Sequence, residues 1–447
     1  MFQFRKSFYI IFDFILSLLI FTLIFYVRYQ IGSDFFGISS RSYSLMFFLH
    51  IVMYSLIIVL FNIAMKCYEL NKIYRIKESI IPNILVSVLT IGLLGGLFFL
   101  LQLEFARFVF FAGFIIVPFV LSVCNKLLFL AFRRKKPYQT AFIGTQKGYE
   151  LFAQLLSDYQ SAFRVESFFV DTDNTDHLID SLSENVKNAE FIVADTDVSL
   201  SHEAAVILND YEISGGRIYS LLDIFVYLDQ SIPAEIIRSH HFEMFSSYKL
   251  DSFYLKVVKR FGDIFISLFL LILTLPIMLI TAFLILITSP GGVFYTQKRV
   301  GYRGKEFTIY KFRSMVQNAE RGKAQLSVKN DARITWIGKI IRMVRIDELP
   351  QLLNILKGDM SFIGPRPERL EIMNQIVEQV PLFKKRLLVK PGLTGWAQVK
   401  YVYANDIAGM DKKLSYDLYY INHVDLIFDI KIVLYTFETV IFRRGAM

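Results

Sequence analysis

Four stretches of this chain, residues 8–27, 43–65, 80–101 and 108–132, carry at most one formal charge each, and each reaches the ~20 residues that a helix needs to cross the hydrocarbon of a bilayer. No other feature restricts folding as strongly, because backbone polar groups in lipid must satisfy one another within the segment. The rest of the composition agrees: 54% hydrophobic and 20% charged residues exclude a disordered chain, a collagen and an ordinary soluble domain. A net charge of +9 fits the Lys and Arg of cytoplasmic loops. Zinc spacings and aromatic RNA-binding signatures are absent from the sequence, so no nucleic acid is expected as a partner. Cys67 and Cys124 form no disulfide framework.

Positive charge orients the four stretches. Arg5 and Lys6 precede the first, Lys66, Lys72, Arg75 and Lys77 follow the second, and Arg133, Arg134, Lys135 and Lys136 follow the fourth. Only Glu104 and Arg107 stand between the third and the fourth. Residues 1–136 are therefore expected to form a four-helix transmembrane domain with both ends in the cytoplasm. The first stretch is too long for a secretory signal and lacks a small-residue cleavage site, so it is expected to be retained. Asp13 and His50 lie inside these stretches and are expected to face neighbouring helices rather than to mark a transport path.

Residues 137–250 read as a soluble Rossmann-like α/β domain. Apolar runs at 139–143, 163–170, 190–193 and 217–221 alternate with helical stretches, as in a parallel sheet with crossover helices. After the first run come Gly144, Thr145, Gln146, Lys147 and Gly148. A dinucleotide loop needs a second glycine where Gln146 stands, so the domain is expected to serve dimerisation or regulation rather than to hold a cofactor. His177, His202, His240 and His241 have no metal-ligand spacing.

A fifth apolar stretch, residues 261–287, is also long enough to span. Yet Lys249, Lys256, Lys259 and Arg260 precede it, and Lys298, Arg299, Arg303 and Lys305 follow it, so both flanks carry the cytoplasmic signature. Pro276 at mid-segment removes an amide donor and can bend a helix back to the leaflet it entered. A re-entrant membrane helix over residues 251–290, broken at Pro276, is expected. The alternative is a kinked but complete fifth span.

The remaining residues, 291–447, are dense in glycine, cations and carboxylates. Leu349, Leu352, Leu353 and Leu356 recur at i, i+3, i+4 and i+7, which predicts a helix starting near Asp347 with Pro350 in its first turn. Asp347 would then lie at the positive end of the helix, which keeps a carboxylate ionised and attracts phosphate. Neighbours on a helix point about 100° apart, so Asp347 and Glu348 are expected to divide two tasks. One attacks phosphorus, and the other ligates Mg2+. The plainer alternative makes Asp347 a helix cap and Glu348 a dipole partner. Arg366, held stiffly between Pro365 and Pro367, suits a phosphate. Strand-like alternation puts Lys311 and Arg313 on one face as two further cations. Carboxylates, a metal and several cations beside a membrane form a coherent set for phosphoryl transfer.

At these residues the sequence resembles the bacterial sugar transferases, the polyprenyl-phosphate hexose-1-phosphate or monotopic phosphoglycosyl transferases. The matching motifs are Ser289 to Gly291, 297–304, 311–315, 347–351, 357–368, PGLTGWAQV at 391–399, 416–420 and the closing 444–446. The resemblance implies that Asp347 attacks the sugar-bearing phosphate of a UDP-sugar and releases UMP. Undecaprenyl phosphate then displaces the aspartate and leaves as the diphosphate-linked sugar. It also implies that Glu348 binds Mg2+, that Arg342 and Arg366 hold phosphates, and that the membrane helix re-enters at Pro276. Arg345 and Ile346 stand where the family usually has a small hydroxyl residue and Leu, Gly292 where Pro is frequent, and Lys400 and Tyr401 where Gly and Arg are common.

The expected architecture is a membrane protein with an α-helical transmembrane bundle, a Rossmann-like α/β domain, a re-entrant helix and a mixed, mainly α catalytic domain. Its long form implies the first membrane step of exopolysaccharide, capsule or O-antigen synthesis, at the cytoplasmic face of a bacterial inner membrane. UDP-glucose or UDP-galactose is the expected donor, the lipid bilayer is a partner, and a homodimer stays open. The competing readings are a glycosyltransferase that releases UDP and a non-catalytic scaffold for polysaccharide machinery.

Overall fold

The computed structural model of the chain describes residues 2–28, 45–65, 67–68, 73, 76–100, 107–132, 137–159, 165–171, 188–195, 202–237, 252–316, 333–401 and 407–441. Lys66, Lys72, Arg75, Glu104, residues 133–136, His177, His240, His241, Lys249 and the closing 444–446 lie outside the described residues. Two compact units divide the chain: Met1–Gln139 with Leu156–Glu166, and Thr140–Leu155 with Ser167–Met447.

The first unit holds four helices, α1 (Phe2–Tyr26), α2 (Leu45–Ala64), α3 (Ile76–Leu100) and α4 (Arg107–Phe132). Each occupies one of the apolar stretches. They pack as a ring, α1 against α2 and α4, and α3 against the same two. Phe21, Tyr54, Phe98, Phe110 and Phe114 fill the centre, and Gly113 lies against the Phe21 ring where any side chain would collide. Small residues at such a contact let membrane helices approach closely. Two buried polar pairs cross between helices: Asn125 donates to Asp13 at 3.2 Å, and Asn83 to Ser122 at 2.9 Å. His50 stacks on Tyr54 and lies tilted beside Phe98. Taken alone, Lys6–Tyr26 and Phe108–Phe132 are long and apolar enough to cross a membrane among the described residues, and Phe48–Ile63 and Pro82–Phe98 are shorter apolar helices.

The second unit opens with a four-stranded sheet ordered β2-β1-β3-β4, from β1 (Tyr138–Gly144), β2 (Val165–Asp171), β3 (Phe191–Ala194) and β4 (Ile218–Ser220). The pairs β1–β3 and β3–β4 are parallel. Helices α5 (Gln146–Tyr159), α6 (His202–Ile213) and α7 (Leu221–Leu228) alternate with the strands. His202 simply opens α6. The glycine loop after β1 is filled from within: Thr145 donates to the Asp195 carboxylate at 3.1 Å, and a Cβ at Gly148 would lie 2.5 Å from the same carboxylate.

Next comes α8 (Lys259–Thr288), preceded by a π turn at Tyr254–Val258. Tyr254–Thr288 is the third helix long and apolar enough to span, with only 17% of its apolar window buried. Pro276 stands inside the helix. Proline removes one ladder bond, here to Ile272, and its ring favours a bend at this point. Its buried residues Asp263, Ser267, Met278, Thr281 and Ile285 fall along one stripe, part of which packs on Phe312, Ile337 and Ile341. Both ends are tied down. At the start, Lys259 and Tyr254 bond Asp429, and Asp263 accepts from Ser361 and the Phe362 amide. At the end, Arg313 donates to the carbonyls of Ser289 (2.6 Å) and Pro290 (3.0 Å).

An antiparallel hairpin follows, β5 (Phe294–Val300) with β6 (Glu306–Phe312). Then come α9 (Trp336–Met343), α10 (Leu352–Lys357), β7 (Ser361–Ile363), α11 (Leu370–Gln379), β8 (Gly392–Thr394), α12 (Trp396–Lys400), α13 (Ile407–Asn422) and α14 (Leu426–Ile441). Strands β7 and β8 pair in parallel.

Candidate active site

Asp347 and Glu348 do not start an α-helix. Arg345 adopts the left-handed conformation (φ 58°), and residues Ile346–Gln351 form a 3-10 helix that passes into α10 at Leu352. Pro350 and the tight turn favour this geometry, which leaves Leu353 exposed and buries Asn354 instead. Asn354 is the hinge pin of the site. Its amide donates to Thr308 O at 2.7 Å and accepts from Tyr310 N at 3.1 Å, satisfying the open edge of β6. Gly358, at φ 94°, ends α10, and Arg260 donates to two carbonyls of its last turn, Ile355 O and Leu356 O. Thus the dyad is fixed against the strand that carries Lys311.

Glu348 is buried and ringed by cations. Its Oε1 accepts from Lys311 Nζ at 2.8 Å and from Arg366 at 2.9 Å, while Arg345 stands 3.6 Å from Oε2. Burial alone would lift this carboxyl, but Lys311, Arg366 and Arg345 outweigh it and hold Glu348 well below the usual carboxylate range. Burial in turn lowers the Lys311 ammonium, against the pull of Glu348, and Glu348 raises the Arg366 guanidinium.

Asp347 is different. Among the described residues no hydrogen bond or ion pair engages its carboxylate, although it is 9% exposed. Burial and the Glu348 charge push it up to about 6, while Lys311, Arg342 and Arg366 pull in the other direction. Arg342 anchors itself through Nε to Ser314 at 2.7 Å, with its terminal nitrogens uncommitted among the described residues. The result is one ion-paired carboxylate beside one unpaired carboxylate, under a surplus of positive charge.

Arg366 is braced from behind. Arg386 donates to Arg366 O at 2.9 Å, and Arg299 to Pro367 O at 3.2 Å. Glu368 holds Lys413 at 3.3 Å, and Arg386 also pairs with buried Asp417 at 2.7 Å. The loop before Arg366 lies backbone to backbone on the segment carrying β8: Gly364 N donates to Thr394 O, and Gly392 N to Pro365 O. A Cβ on Gly392 would meet Gly364 N at 2.1 Å, so only glycine fits there. A shallow open cleft beyond this loop is lined by Arg366, Glu368, Arg386 and Phe383.

Of the residues selected from sequence, Asp347, Glu348, Lys311, Arg366 and Arg342 gather at one place. Arg313 does not join them: β6 ends at Phe312, the alternation stops, and both guanidinium arms hold the exit of α8. Pro276 lies inside α8, away from this cluster. Arg345, Asn354 and Ser314 were not recognised as site residues. Arg345 had one signal, its departure from the family pattern beside the dyad; a buried Asn that pins a strand edge leaves none.

Among the described residues no three His, Cys, Asp or Glu side chains converge as a metal cage. Mg2+ needs less than a cage, since it keeps waters and takes substrate phosphates as ligands beside one or two carboxylates. Glu348 Oε2, whose cation lies beyond hydrogen-bond distance at 3.6 Å, fits that requirement.

Residues 254–443 match the family described as bacterial sugar transferase. The chain is 46% identical over 189 residues to the UDP-N-acetylgalactosamine-undecaprenyl-phosphate N-acetylgalactosaminephosphotransferase of Aeromonas hydrophila, covering 42% of this chain and 45% of that one. It is 38% identical over 196 residues to the UDP-glucose:undecaprenyl-phosphate glucose-1-phosphate transferase of Xanthomonas campestris pv. campestris, covering 43% and 40%. In both, the chain spans less than half the relative's length. The undecaprenyl-phosphate galactose phosphotransferase of Salmonella typhimurium is similar almost throughout, 30% identical over 408 residues, 83% of this chain and 82% of that one. This chain belongs to the bacterial sugar transferase family.

Proposed function

We propose that the protein is a phosphoglycosyl transferase that moves a sugar 1-phosphate from a UDP-sugar to undecaprenyl phosphate. The observation that carries the reading is the asymmetry of the dyad: Glu348 is neutralised by three cations, whereas Asp347 is unpaired among the described residues and surrounded by charge that favours a phosphate. In the first step an Asp347 carboxylate oxygen attacks the sugar-bearing phosphorus. The bond from that phosphorus to the bridging oxygen breaks, and UMP leaves with the oxygen. In the second step an oxygen of undecaprenyl phosphate attacks the same phosphorus, the aspartyl bond breaks, and the carboxylate is regenerated.

Arg366 and Arg342 take the non-bridging phosphate oxygens, and Lys311 keeps Glu348 ionised and fixed. Mg2+, when bound by Glu348 together with the donor's phosphates, supplies charge neutralisation. Both ends of α8 are tied to the same unit as the dyad, which supports a helix that enters and leaves one leaflet, with the reaction on the cytoplasmic side. The names of the three relatives divide between N-acetylgalactosamine, glucose and galactose. The donor is accordingly a UDP-hexose, and those three are the ones to assay.

The test is product analysis of the purified protein with each UDP-sugar, Mg2+ and undecaprenyl phosphate. UMP release and a labelled adduct on Asp347 are expected. UDP release would replace this reading with a glycosyltransferase, and no release with any donor would leave a scaffold.

A further inference from the structure

Residues 229–237, which follow α7, leave the sheet region and lie on the catalytic elements of the same unit. Gln230 is the centre of the contact. Its amide N caps the helix by donating to Phe225 O at 3.0 Å, and its backbone is left-handed, φ 58°. Glycine is the ordinary occupant of that position at a helix end, because a Cβ is strained there. A glutamine that accepts the strain has a side chain with work to do.

That side chain is buried, 4% exposed, and its Oε1 accepts from Lys431 Nζ at 2.7 Å. Gln230 O accepts from Trp396 Nε1 at 2.9 Å. Either side of it, Asp229 accepts from Tyr416 OH at 3.2 Å and Ile232 N donates to Ser415 O at 2.9 Å. Trp396 is fully buried, edge-on to Phe428, with Lys431 4.6 Å from its ring centre. Two residues before it, β8 ends in Thr394, whose carbonyl receives Gly364 N, and Gly392 N holds Pro365 O. The loop that carries Arg366 therefore hangs on a segment whose next anchor is Trp396.

We propose that residues 229–237 form a clasp supplied by the middle region, and that Gln230 is a positioning residue for Arg366, acting through Trp396. It lies outside residues 254–443, the part that matches the family. The kinetic half of the proposal rests on the phosphoglycosyl transferase reading, and the optical half does not.

The chain has two tryptophans, Trp336, which is 66% exposed, and Trp396. Trp336→Phe in the full-length protein makes Trp396 the only indole, a buried emitter. On that background Gln230→Gly keeps the backbone and removes the amide. Its emission is expected to shift to the red, acrylamide quenching to rise roughly twofold, and kcat for UMP release to fall roughly tenfold with KM for the donor little changed. Gln230→Asn, which keeps a shorter amide, is expected to recover part of both. Lys431→Met is expected to reproduce the loss, and the double variant to be no worse than either single one.

Unchanged emission and quenching in Gln230→Gly would overturn the clasp. A changed emission with full turnover would overturn the positioning role. If the Trp336→Phe parent releases no UMP from any donor, the enzymatic reading fails and the quenching data alone decide the clasp.

Discussion

Two sites in the second unit set a carboxylate beside the start of a helical segment, and only one of them is left open for chemistry. At the glycine loop after β1, the Asp195 carboxylate accepts from Thr145 and crowds Gly148, so it is already engaged by the chain itself. At Asp347 the roles are separated: Glu348 takes Lys311, Arg366 and Arg345, and Asp347 is left unpaired among the described residues. The contrast teaches that a phosphate site is marked by uncommitted groups and surplus cations, and that a glycine-rich loop is a poorer guide.

The comparison can be broken by substitution. Asp347→Asn should lower UMP release by roughly 10³-fold or more, since it removes the proposed nucleophile. The same variant should be more stable than the parent at pH 8. Burial lifts this carboxyl from 3.8 to about 6, so the folded state loses stability as pH rises through 6, and asparagine escapes that loss. Thermal unfolding at pH 8 and at pH 4 should show the gap opening only at the higher pH. Arg366→Lys replaces a fork by a point charge and should cost roughly 10²-fold in turnover; a loss under twofold would remove Arg366 from the phosphate.

A smaller effect comes from protons. Turnover of the intact enzyme should fall about tenfold per pH unit below about 6, as Asp347 protonates, and a flat profile down to pH 5 would contradict the assigned nucleophile. The smallest effect sharpens the contrast from the other side. Asp195→Asn should leave UMP release within about twofold, since the loop belongs to no phosphate step. A tenfold fall in donor affinity in that variant would move phosphate binding to the middle region.

The sequence carried the parts of the fold that follow from period and composition. The four apolar stretches, the alternating strands and helices, and the gathering of Asp347, Glu348, Lys311, Arg342 and Arg366 were all readable, because hydropathy and charged motifs report directly on solvent and partner. Local geometry was not. A 3-10 helix with Pro350 inside has the same leucine spacing as an α-helix start, so Leu353, expected on the apolar face, is exposed, and Asn354 is buried. Arg313 looked like a partner of Lys311 because alternation was extended one residue past the end of β6. Gln230 gave no signal at all, since nothing in one sequence says that a glutamine is left-handed.

The bonds that fasten the start of α8 also impose a schedule. Lys259 and its partner Asp429 are 170 residues apart, and Arg260 is 95 residues from Ile355. At the roughly 5–20 residues per second of ribosomal synthesis, the later partner emerges about ten to thirty seconds after the lysine. Until Ile355 emerges the nascent helix has only its own flanks to hold it in place, and the carboxylate that locks its start follows later still.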